Sequence, residues 1–167
     1  PTGATGDDER LSEEEVQKVR LAGLLHDVGH GPFSHVYEEL LNKYRNVTHE
    51  DLAGWVIGES EVGDILTQGG FSKEQVSQLA TGRLAKKEKG YLNQIIAGHF
   101  SSDIIDYLVR DSYFAGVEYG RVDVQRLISS LELIGHQLVA DYSGAFGVLE
   151  SFPVSYTHLR AHETGRN

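Results

Sequence analysis

The sequence predicts an all-α fold, a helical bundle with at most one small β-hairpin near residues 132–140. Three observations predict it. Phe33, Val36, Tyr37, Leu40, Leu41 and Tyr44 stand at i, i+3, i+4, i+7, i+8 and i+11, the spacing of one apolar helix face. Ser12-Glu13-Glu14-Glu15 is a capping box: the serine accepts from the first turn, the glutamate reaches back, and the acids suit the helix N-terminus. Strand-like character is confined to Leu133–Val139, which is short, β-branched and interrupted by Gly135.

The elements follow in order. Residues 1–10 carry Gly, Thr and an acidic run without apolar period and are read as a flexible N-terminus. Residues 11–153 are read as one helical domain, a size that can bury a real core. Val16, Val19, Leu21, Leu24 and Leu25 recur at helical spacing and carry the first helix to about Val28, with His26 and Asp27 in its last turn. Gly29, Gly31 and Pro32 break that helix, and the 33–44 stripe makes the next one, with His35 in its first turn. Thr48 is an N-cap for a helix bearing Leu52, Ala53, Val56 and Ile57. Val62, Ile65 and Leu66 give a short helix stopped by Gly69-Gly70. Ser72 to Gln75 repeats the box pattern before Val76, Leu79 and Ala80. Arg83 to Gly90 reads as an exposed basic loop, and Tyr91 to Ala97 resumes helix with Leu92, Ile95 and Ile96 inward.

Asp103, Asp106, Tyr107, Arg110 and Asp111 form a polar stripe at helix period, flanked by Ile104, Ile105, Leu108 and Val109, a pattern that suits the wall of a wet cavity. Gly116 and Gly120 break the chain before a helix over 123–131, and Ala145, Val148, Leu149 and Phe152 open a last one. Residues 154–167 are read as a non-native tail, because Val154 to Thr164 looks like one reading frame of a sequencing-library adapter. His158 and His162 are therefore set aside as ligands.

The net charge is −10, and removing the tail leaves the chain more acidic still. An acidic domain lacks the basic stripe that tracking a nucleic-acid backbone requires, so no extended nucleic-acid binding is expected. It can still take a phosphorylated small molecule where a metal ion reverses the local potential. Cysteine is absent, which excludes disulfide and thiolate sites. No apolar run approaches the about 18 residues of a membrane span, so no membrane partner and a cytoplasmic location are expected.

Chemistry concentrates in His26-Asp27-Val28-Gly29-His30-Gly31-Pro32-Phe33-Ser34-His35, three imidazoles and a carboxylate around a helix stop. Imidazole nitrogen and carboxylate oxygen together suit a divalent metal ion, and neither is buried cheaply without a partner. This stretch, then Thr48-His49-Glu50, then Asp103-Ile104-Ile105-Asp106-Tyr107-Leu108-Val109-Arg110-Asp111, resembles the HD superfamily of metal-dependent phosphohydrolases. Within it the likeness is nearest to deoxynucleoside triphosphate triphosphohydrolases and runs from about Leu11 to about Phe152.

The resemblance implies an HD-domain helical bundle, a divalent metal cofactor (Mg, Mn, Fe or Zn), a small-molecule nucleotide substrate, and room for a homo-oligomer. It implies His26, Asp27 and Asp103 as metal ligands. His49 is implied as general acid for the leaving oxygen, with Glu50 orienting it and His30 on the phosphate side. His35, Tyr107 and Asp111 are implied as substrate contacts, the last two at the deoxyribose. The family pattern also has an upstream histidine ligand near an arginine. No histidine precedes His26, so the sequence is expected to begin after that helix, leaving the metal site incomplete, its metal affinity weakened and inactivity of this fragment an open outcome. Ile104 stands where the family has a basic residue beside Asp103, which removes a phosphate contact. Hydrolysis of a deoxynucleoside triphosphate to deoxynucleoside and triphosphate is the implied activity. An HD phosphomonoesterase, a cyclic-nucleotide phosphodiesterase and a non-catalytic, metal-stabilised regulatory module stay open as alternatives.

Overall fold

A computed structural model describes residues 10–85, 89–98, 100–116 and 122–141. The chain divides into two compact units, residues 1–84 and 85–167.

The first unit holds α1 (Glu13–Leu25), α2 (His35–Arg45), α3 (His49–Glu59), α4 (Glu61–Gln68) and α5 (Lys73–Ala80). Local chemistry sets their starts. At α1 the box is reciprocal, with the Ser12 hydroxyl accepting from the Glu15 amide at 3.2 Å and Glu15 accepting from the Ser12 amide at 2.8 Å. Thr48 and Asp51 make the same exchange at α3. Ser60 and Ser72 cap α4 and α5 through the amides of Val62 and Gln75. The helix stop expected near Val28 comes earlier, with His26 as C-cap of α1, because the turn over 26–29 closes on backbone bonds from Val28 to Leu25 and from His30 to Asp27.

The core of this unit forms where α5 packs on both α1 and α3. Ala22 of α1 and Ala53 of α3 are fully buried; such small side chains let helix backbones approach closely. Ile57, Leu66, Val76 and Leu79 fill the space between them. Lys73 secures the junction by donating from Nζ to the Gly58 carbonyl at 2.6 Å. At the end of α5, Arg83 Nη1 lies 2.8 Å from Asp51 Oδ1, so the expected basic loop begins with a residue that braces α3.

The second unit holds α6 (Tyr91–Ala97), α7 (Ser102–Ala115), α8 (Val124–Ser129), β1 (Leu131–Ile134) and β2 (Gln137–Ala140). Tyr91, Leu92 and Ile96 of α6, Leu108 of α7 and Leu127 of α8 are its buried apolar residues, together with Val122. Phe100 and Ile105 pack against Val122 and Leu127. Ser101 caps α7 through the Ile104 amide, and Gly116 ends it at φ 67°, a left-handed position that glycine takes without steric cost.

The expected hairpin is present, antiparallel with Leu131 opposite Ala140 and Ile134 opposite Gln137. Its two-residue turn, Gly135-His136, has φ 56° and 64°, the doubly positive pattern whose twist matches paired strands. Gln94 of α6 holds it down: its Oε1 accepts from the Leu138 amide at 2.7 Å and its Nε2 donates to the Leu138 carbonyl at 3.5 Å. The helix expected over 145–152, the tail over 154–167 and His99 lie outside the described residues. Among the described residues no helix is long and apolar enough to cross a membrane.

Burial separates two isoleucines of the first unit. Ile57→Ala, at a fully buried position, is expected to lose about 2–5 kcal/mol in urea denaturation. Ile65→Ala, at a position 61% exposed, is expected to stay within about 0.5 kcal/mol of the parent. Equal losses at the two positions would contradict this packing.

Candidate metal and acid–base centre

The first unit gathers its imidazoles where the turn after α1 rides on the first turn of α3. Gly29 makes this possible: a Cβ there would collide with the His49 carbonyl and the Ala53 amide, so only glycine admits the approach.

His26 sits at the end of α1, half-buried. Its Nδ1 lies 2.8 Å from the Gly23 carbonyl, an acceptor only, so the proton belongs on Nδ1 and the lone pair on Nε2. That is the arrangement of a metal-binding histidine, whose second nitrogen is fixed by a backbone carbonyl. Nε2 lies 3.2 Å from Asp27 Oδ1, and His30 Nε2 lies 3.6 Å from the same oxygen. His30 Nδ1 is buried and finds no hydrogen-bond partner among the described residues. The His26 Nε2 lone pair beside an Asp27 carboxylate oxygen is an imidazole–carboxylate pair of the kind that suits a borderline divalent cation.

Beside this pair stands a second group. The His30 and His49 rings stack with centroids 4.0 Å apart and planes 15° from parallel, and His35 meets His30 edge-on at 5.7 Å. His49 Nδ1 lies 2.6 Å from Glu38 Oε1, and the His49 amide donates to the same oxygen at 3.2 Å. Glu38 Oε2 lies 3.7 Å from His35 Nδ1, and Glu50 Oε1 lies 3.4 Å from His49 Nε2.

Glu38, His49 and Glu50 place their donor atoms close enough to share a cation. The 2.6 Å contact favours a proton between Glu38 and His49 instead, because a bound ion would have to displace a short, charge-assisted hydrogen bond. The His49 side chain, donating to it, holds the Glu38 carboxyl below the usual glutamate range; desolvation opposes this, and the His49 amide and charge and the His35 contact add to it. Asp51 is lowered too, first by the Thr48 amide and then by Arg83.

Glu38 is the site residue that the sequence reading missed. Helical periodicity marks the 33–44 stripe as one apolar face and singles out nothing about Glu38. In the structure Glu38 is half-buried against α3, and Phe33, Val36, Leu40 and Tyr44 of the stripe are exposed on the other side of α2. His35 is largely exposed, its side chain 85% accessible.

In the second unit, Asp103, Tyr107 and Asp111 fall at i, i+4 and i+8 on α7. Asp103 lies in the first turn, Tyr107 is half-buried and Asp111 is exposed. Asp106 and Arg110, between them in sequence, form an exposed ion pair at 2.6 Å, a helical i, i+4 contact of small energetic weight.

A model of the HD domain matches residues 3–111. A hypothetical protein of Aquifex aeolicus superposes with a TM-score of 0.76 at 43% identity, covering 90% of this chain and 41% of that one. A phosphohydrolase of Bacteroides thetaiotaomicron superposes at 0.68 with 28% identity, covering 89% of this chain and 34% of that one. The deoxynucleoside triphosphate triphosphohydrolase SAMHD1 homolog of Dictyostelium discoideum is 30% identical over 170 residues, which is 94% of this chain and 32% of that protein. The chain spans about a third of the length of the curated relatives it matches.

Because its carboxyl is lowered by pairing, Glu38 adds stability that is fully present above the ordinary glutamate range and is lost as pH falls through the lowered value. Glu38→Gln is expected to be less stable than the parent near neutral pH, with the gap closing as pH falls below the ordinary glutamate range and through the lowered value. Urea midpoints across that range measure it; a gap that stays constant would show that the charge of Glu38 contributes nothing.

Proposed function

The chain belongs to the HD-domain family, and from that premise we propose that it is a metal-dependent phosphohydrolase that converts deoxynucleoside triphosphates to deoxynucleoside and triphosphate. The observation that carries the metal-dependent part is the fixed tautomer of His26, which leaves Nε2 beside the Asp27 carboxylate for a cation. His26 and Asp27 of the first unit would hold the ion, and Asp103 is a further ligand by the family resemblance alone. A divalent cation so held supplies Lewis-acid polarisation of a phosphoryl oxygen and a water of lowered pKa.

The residues of the chain supply the rest. His49 is positioned by Glu38, which takes the Nδ1 proton as acceptor and leaves Nε2 to carry a proton to the departing oxygen. Glu50, 3.4 Å from that nitrogen, helps to hold the proton there. His30, stacked on His49, fixes the ring plane and lines the phosphate side. His35 stands at the exposed rim as a further phosphate contact. Tyr107 and Asp111 would take the deoxyribose, the ring beneath the sugar and the carboxylate accepting its 3′ hydroxyl. The choice of a deoxynucleoside triphosphate rests on similarity: the Dictyostelium relative hydrolyses that class by its name, and the motif order resembles that family.

The products decide the reading. With dGTP and manganese, the chain is expected to release inorganic triphosphate and deoxyguanosine, and His49→Ala is expected to lower kcat by about 10²–10⁴-fold with little change in KM. Orthophosphate as the phosphorus product would overturn the triphosphohydrolase reading in favour of a phosphomonoesterase. A metal-dependent rise in melting temperature without turnover of any nucleotide would overturn catalysis altogether.

A further inference from the structure

Helix α2 is amphipathic the wrong way round for the unit it belongs to. Its half-buried residues include Glu38 and Leu41, while the apolar stripe of Val36, Leu40 and Tyr44, continued by Phe33, is 63%, 51%, 70% and 88% exposed. No residue of α2 is buried, and none of the other helices of the first unit packs along it. Its entry is also unfavourable: Phe33 and Ser34 have φ 64° and 41°, and Ser34 makes no side-chain cap. A poorly started helix with an uncovered apolar stripe gains its stability from whatever covers that stripe.

We infer that a second copy of this chain covers it, the two α2 helices pairing antiparallel about a two-fold axis near Leu40 and Leu41. The charges along the stripe select that partner and that direction. Glu39 and Lys43 are exposed and border the same edge of the stripe, one turn apart and on opposite sides of its midpoint. In an isologous contact, where residue i meets j and j meets i, antiparallel pairing sets Glu39 of each copy against Lys43 of the other. A parallel two-fold would place the two copies' Glu39–Lys43 edges on opposite sides of the contact, where they form no cross-pair. Tyr44 of one helix then lies over Val36 and Tyr37 of the other, at either side of the central leucines. A pair of single helices buries less than the about 800 Å² per partner of a standard interface, which suits a reversible, concentration-dependent association. It leaves Glu38 free to face His49, because the two occupy opposite sides of α2.

Sedimentation of the 167-residue chain over a range of concentrations tests this. The parent is expected to go reversibly from monomer to dimer, and Leu40→Glu to remain monomeric with an unchanged far-UV circular dichroism spectrum. Glu39→Lys and Lys43→Glu are each expected to weaken self-association about tenfold or more, because each turns both cross-pairs repulsive. Mixed in equal amounts, those two variants are expected to form a heterodimer, which a salt bridge within one chain cannot produce. A parent that stays monomeric at its highest soluble concentration would overturn the inference, as would association that persists in Leu40→Glu. Failure of the two charge variants to associate with each other would overturn the antiparallel register.

Discussion

The candidate centre depends on one close approach, that of the Gly29 backbone to the first turn of α3. Where a side chain would meet the His49 carbonyl and the Ala53 amide, glycine lets the turn carrying His26, Asp27 and His30 lie directly on the helix start carrying His49 and Glu50. The 4.0 Å stacking of His30 on His49 follows from that contact. The core beneath it supports the geometry. Ala53 is fully buried one turn along α3, and α5 packs on both α1 and α3, so the two elements that supply the site are held by the same helix. Substituting Gly29 would therefore disturb the proposed metal ligands and the proposed acid together, although glycine itself carries no chemistry.

The two histidine groups divide the work by what each imidazole nitrogen touches. His26 gives its Nδ1 proton to a backbone carbonyl and keeps Nε2 as a donor of electrons, as a metal ligand must. His49 gives its Nδ1 proton to a carboxylate, which steadies a charged ring and suits a proton carrier. The same side chain is thus suited to the two proposed roles by whether its outer partner is neutral or anionic.

Much of this was legible in the chain. The caps at Ser12, Thr48 and Ser72 are local hydrogen-bond patterns, so the starts of α1, α3 and α5 could be read without tertiary information. The hairpin at 131–140 was readable from its glycine and β-branched residues, although His136 at positive φ was not. The motif residues were found because their identities are chemical. What could not be read was orientation. Helical periodicity says that Phe33, Val36, Leu40 and Tyr44 share a face, and says nothing about which way that face points. Glu38 was missed because it lies off that stripe and outside the motif residues, so nothing local to it pointed to His49. Similarly, the end of α1 at Leu25 depends on backbone bonds of the following turn, which composition does not encode.

The central claim is that the His26–Asp27 pair holds a divalent cation while His49 serves as the acid beside it. Manganese titration calorimetry tests it most directly. Asp27→Ala is expected to lose affinity by more than the about 10–100-fold that removal of an outer-shell partner costs, and His49→Ala is expected to bind the ion as the parent does. Parent-like binding by Asp27→Ala, or loss of binding in His49→Ala alone, would contradict the account.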